Sequence, residues 1–127
     1  MAKSINDTVL DAALDIIATG TEITVCSAQP TTYAEAHTTY MLAAHVLTPG
    51  DGNGDFTISN GDASGRKVRV TQQADITITN SGTATHVAIT VTGTNTLLLV
   101  TTCTSQALTA GNTVTIPAFD DEIADPT

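Results

Sequence analysis

Eight short strand-like runs, most of them separated by clusters of turn-forming residues, constrain this chain more than any other feature. The runs are "TEITVCS", "YMLAAHVL", "DFTIS", "RKVRV", "ADITIT", "THVAITV", "TLLLVTT" and "NTVTIPAF". Among the clusters between them are "TPGDGNG", "NGDASG", "TNSGT", "TGTN" and "TAGN". Alternation with a period of two puts successive side chains on opposite faces, as in a half-buried strand. Glycine, asparagine, aspartate and proline end such runs because they favour turn conformations. About a fifth of the residues are threonine, which is β-branched and favours strands over helices. The expected fold is mainly β: an antiparallel β-sandwich or small barrel of about eight short strands.

One helix is expected ahead of the strands. Val9, Leu10, Ala13, Leu14 and Ile17 recur at helical spacing, Ser4 and Asp7 form a short capping box, and Gly20 is placed to end the helix. The expected organisation is a single domain with a helix over 1–20, a β-sandwich over 21–117 and an acidic C-terminal arm over 118–127. The apolar stripe of the helix must be covered, either by the chain's own sheet or by a partner subunit. Pro117 cannot donate to a central ladder, so its strand is expected at an edge or to leave the sheet there. "GRKVR" holds three of the four basic residues. Its strand places Lys67 and Arg69 on one face and Arg66 with Val68 and Val70 on the other. It reads as a charge-protected edge, or as a basic patch receiving Asp120, Asp121 or Glu122 of a neighbouring subunit. Residues Val9, Leu10, Leu14, Ile17, Arg66, Lys67, Arg69, Asp120, Asp121 and Glu122 are therefore the candidate interface.

Charge narrows the function classes. A net charge of −9 and a pI near 4.2 argue against a nucleic-acid binder, which needs a basic face, and against docking on an anionic membrane. No secretory signal pattern follows Lys3, because Asn6, Asp7, Asp11 and Asp15 interrupt any apolar run. "LLLV" at 97–100 is too short to span a bilayer. Cys26 and Cys103 are expected as reduced, buried thiols on facing strands.

"GDGNGDFTIS" spaces Asp51, Asn53 and Asp55 as the first three ligands of an EF-hand loop. Phe56 replaces the required glycine, Asp62 replaces the closing glutamate, and strands flank it where helices should stand. It reads as a turn, with no metal assigned. His37, His45 and His86 are scattered without metal-ligand spacing. No nucleophile elbow and no phosphate loop is present. The expectation is a non-enzymatic chain without a cofactor.

"NDTVLDAALDIIA", "TVCSAQPTTYAEA", "GRKVRV", "SGTATHVAIT" and "LLLVTTCTSQALTAGNTVTIPAF" together resemble small virion-associated proteins of tailed bacteriophages. The resemblance runs from Asn6 to about Pro126 and brings no catalytic residues. It implies a capsid decoration or cement-like protein on the head surface, assembled in the host bacterial cytoplasm. The implied partners are the major capsid protein or another virion protein, and further copies of itself in a homo-oligomer such as a trimer. A neck, tail or fibre component is the alternative within that class, and a calcium-dependent surface module is the alternative outside it.

Overall fold

The computed structural model describes residues 5–126. It is mainly β, with one N-terminal helix and nine strands among the described residues. Helix α1 spans Asp7–Ile17. The strands are β1 (Glu22–Cys26), β2 (Met41–Val46), β3 (Phe56–Asn60), β4 (Arg66–Val70), β5 (Gln73–Thr77), β6 (Gly82–Val91), β7 (Thr96–Leu108), β8 (Thr113–Ile116) and β9 (Phe119–Ile123). Each of the eight strand-like runs contains a strand segment. The segment after Pro30 contains a π-helical turn over Glu35–Thr39.

The expected capping residue Ser4 lies outside the described residues. The cap is Asn6, whose Oδ1 accepts from the Thr8 amide at 2.8 Å. Asparagine satisfies one of the orphan amides of the first turn. The helix stops at Ile17, before Gly20, which serves packing instead. A β-carbon on Gly20 would run into Ile89 and crowd the Phe56 ring.

The strands form antiparallel sheets of order β2-β1-β6-β7, β3-β4-β9 and β5-β8. An Ala43–Ile78 bridge joins β5 to the β2 edge, where the Thr79 and Asn80 amides also donate to the Leu42 carbonyl. The inner faces enclose one core containing Ile23, Val25, Phe56, Val68, Val70, Ile76 and Ile89. This is a β-sandwich-like arrangement, with α1 packed on β4, β3 and β7. The four-stranded sheet is covered on its other face too. The π-helical turn seats Ala36 over Cys26 and Ala88, with Tyr40, Leu97 and Val100 around them. That is why Thr24 and Thr90, on the hydroxyl side of the alternation, are fully buried.

Three expectations are corrected here. Residues 118–127 are not an arm, since Phe119–Ile123 is strand β9, paired with β4 along its length. The β4 strand is not an edge, because β3 lies on its other side. Cys26 and Cys103 are free, but they belong to the same sheet, on β1 and β7 with β6 between, and pack into different clusters. Pro117 does mark the point where the chain leaves one sheet for another, between β8 and β9.

Candidate interaction surface

The predicted stripe on α1 divides in two. Leu10 and Leu14 are buried and Ile17 is half-buried against the core. Val9 points to solvent with 60% of its surface exposed, and Ala13 is exposed as well. Ile16, absent from the expected stripe, is also 60% exposed, and Ala12 beside it is exposed. Successive residues turn by about 100° around a helix, so Val9, Ala12, Ala13 and Ile16 form a second apolar ridge next to the buried one. The signal was present in the sequence as i, i+3, i+4, i+7 spacing starting at Val9. A helix apolar over so wide a sector buries only part of it on its own sheet.

The acidic flank fixes the helix. Arg66 donates from Nε to Asp11 Oδ1 at 2.7 Å and from Nη2 to Oδ2 at 3.3 Å, while Nη1 donates to Asn60. This two-pronged contact ties α1 to β4, and its geometry suits the planar guanidinium. Lys67 donates to Asp62 at 2.7 Å and to Asp120 at 3.4 Å, and Arg69 donates to Asp120 at 3.2 Å. The patch expected to receive acids from a neighbour is thus occupied by Asp120 of its own chain. The register explains it: Arg69 lies opposite Asp120 and Lys67 opposite Glu122, so all four project from one face. Asp121 lies opposite the buried Val68 and shares its inward face. Burial pushes the Asp121 carboxyl above the usual aspartate range.

The "GDGNGD" loop holds its acids in hydrogen bonds of its own. Asp55 accepts from the Thr48 amide at 2.7 Å, Gln73 Nε2 at 3.1 Å and Thr71 Oγ1 at 3.3 Å. Asp51 accepts from the Ile58 amide at 2.8 Å, and Asn53 donates to the Pro49 carbonyl at 2.8 Å. The three side chains point to backbone and neighbours, not to a shared centre. Burial alone would raise the Asp55 carboxyl, but the Thr48 amide, Gln73 and Thr71 together hold it below its ordinary range. Among the described residues, no group of three His, Cys, Asp or Glu side chains is placed to hold a metal.

Of the histidines, His37 is the most engaged. Its Nδ1 lies 2.7 Å from Glu22 Oε1 and its ring stacks on Tyr33 at 4.9 Å. The pair pins the π-helical turn to β1. A carboxylate beside an imidazole resembles the orienting half of a catalytic triad. Here the Thr90 hydroxyl donates to Glu22 at 3.4 Å, and among the described residues no hydroxyl or thiol is hydrogen-bonded to the His37 imidazole. Sequence reading missed this contact because Glu22 and His37 are joined only by the fold. His86 Nδ1 meets the neighbouring Thr85 hydroxyl at 2.8 Å, and His45 is exposed at the end of β2.

A cleft of about 370 Å³ opens between β7 and the β8–β9 corner. Val25 and Val87 line it together with Cys103, Val114 and Phe119. Among the described residues, no helix is long and apolar enough to cross a membrane. Comparison with family models, with curated proteins and with solved structures finds no match to this chain.

Proposed function

We propose that this chain is a non-enzymatic structural protein of a tailed-bacteriophage virion, a decoration or cement protein that binds and stabilises the outer surface of the head. The observation that carries the reading is the exposed ridge of α1, Val9 and Ile16 with Ala12 and Ala13 between them. Apolar side chains aligned along one helix face are a means of seating the domain on a partner. The exposed surface of the chain is rich in threonine, whose short side chain loses little conformational entropy when covered. The sequence resemblance supplies the class of partner: the major capsid protein or a neighbouring virion protein. A surplus of carboxylates suits a shell contacted from outside, away from the nucleic acid.

The test is occupancy of purified particles. In a phage carrying Val9→Asp and Ile16→Asp in this chain, the protein is expected to leave the particle while remaining folded. Retention of the double variant at wild-type copy number would sink the assignment of this ridge. Copy number decides the place: hundreds of copies per particle mark a head-surface protein, and a dozen or fewer mark the neck, tail or fibre alternative. Absence of the wild-type chain from particles would overturn the virion reading itself.

A further inference from the structure

The open edges of this fold are guarded in different ways, and one of them stands out. On β3, the Asp51 carboxylate takes the Ile58 amide and the Gly52 amide takes the Phe56 carbonyl. The β2 edge meets β5 at the Ala43–Ile78 bridge. Strand β9 carries Asp120, Asp121 and Glu122, and β8 is four residues long and stops before Pro117. These are the ordinary devices that keep an edge from pairing with another chain. Strand β7 is 13 residues long, pairs only with β6 among the described residues, and has neither a charged residue nor a proline. Its first half is half-buried, but Thr102 and Thr104–Ala107 are exposed. Its one guard is a bulge in which Thr85 alone faces Cys103, Thr104 and Ser105, which also releases that stretch of backbone from the β6 ladder.

A second, independent observation lies beside that edge. The cleft separates β7 from the β8–β9 corner, so the edge borders a gap floored by Val25, Ala84 and Val87 of the core. Its lining residues are all uncharged, in a chain of net charge −9.

We propose that the free edge of β7, over Thr101–Gln106, pairs antiparallel with the same edge of a second copy, each β7 entering the other copy's cleft. An antiparallel pair of identical strands is two-fold symmetric, so one patch serves as both halves of the interface. The charge distribution selects a copy as the occupant. Two molecules of this acidity repel least where both surfaces are neutral, and β7 with its cleft is such a place. Self-pairing of β9 would instead set its acids against each other. The joined edge satisfies backbone groups through strand addition, and the incoming strand covers the apolar floor. Thr101 and Cys103 are half-buried while Thr102 and Thr104 are exposed, so the face holding Cys103 is the one that a partner strand would close over. This pairing does not depend on the virion reading and holds for the isolated protein.

The experiment uses the full chain in solution. Light scattering across a concentration series up to about 100 μM should show a dimer that dissociates on dilution. Thr102→Lys with Thr104→Lys places like charges at the paired edges from two exposed positions, and should weaken association about tenfold or more while the melting temperature stays put. Alkylation of Cys103, followed by mass spectrometry, should be about tenfold slower in the wild-type dimer than in the dilute protein. Cys26, fully buried, serves as the internal reference. A wild-type chain that is monomeric or trimeric throughout overturns the proposal. So does a double-lysine variant that dimerises like wild type, or a Cys103 alkylation rate that dimerisation does not change.

Discussion

Asp55 shows how one side chain decides between two readings of a loop. Its spacing with Asp51 and Asn53 matches a calcium loop, yet its oxygens bind Thr48, Thr71 and Gln73 and so tie the loop to the start of β5. Removing an acceptor that serves several partly buried donors leaves them unsatisfied. Asp55→Ala should therefore cost about 1–3 kcal/mol in denaturant unfolding, and neither calcium nor a chelator should move the melting temperature of the wild type. Asp55 is held below its ordinary range, so its contribution is present at neutral pH and is lost as pH falls through the folded-state value, below 3.8. Asp121 has the opposite sign. Its folded-state value is raised, so in the window above 3.8 the folded chain holds more protons than the unfolded one, and stability falls as pH rises. Asp121→Asn should raise the melting temperature at pH 7 modestly, within about 1 kcal/mol, and the gain should vanish near pH 3. Alternation alone hid both effects: it set Asp121 among the polar residues of an arm, and only the pairing with Val68 turned it inward.

At the scale of the element, α1 presents two apolar faces side by side, one buried and one exposed. Leu14 is fully buried, and burial of such a side chain contributes about 1.5–3 kcal/mol. Leu14→Ala should destabilise the domain by about 2–5 kcal/mol in thermal or denaturant unfolding, because it leaves a cavity under the helix. Ile16→Asp, two residues on, should stay within about 0.5 kcal/mol of wild type, since its side chain leaves no core contact behind. Helical periodicity revealed that the segment was amphipathic. It could not show how much of the apolar sector the chain itself would cover, because that depends on the width of the surface offered by β3, β4 and β7. The Arg66 clamp on Asp11, 55 residues away in sequence, belongs to the same class of fact. Three of the four basic residues were legible as a cluster, whereas the pairing of Lys67 and Arg69 with Asp120 was fixed by the β4–β9 register.

For the whole molecule, the ninth strand changes what truncation means. Residues 118–127 supply Phe119 and Ile123 to the core and the full β9 partner of β4. Deletion of 118–127 should abolish the cooperative unfolding transition rather than leave an intact core, which circular dichroism on heating would show directly. A surviving transition at the wild-type temperature would mean that β9 is a dispensable edge. The sequence alone determined the class of fold and the positions of eight strands, because a two-residue period and turn chemistry are local properties of the chain. It also determined the acidity, and the turn character of the glycine-rich loop. The tertiary structure alone decided that the acidic tail is a strand, that α1 leaves an apolar ridge outside, and that β7 is an uncharged open edge beside a cleft. Those three depend on which strands become neighbours. Neighbours are chosen by the collective burial of one core, a quantity that no window of sequence contains.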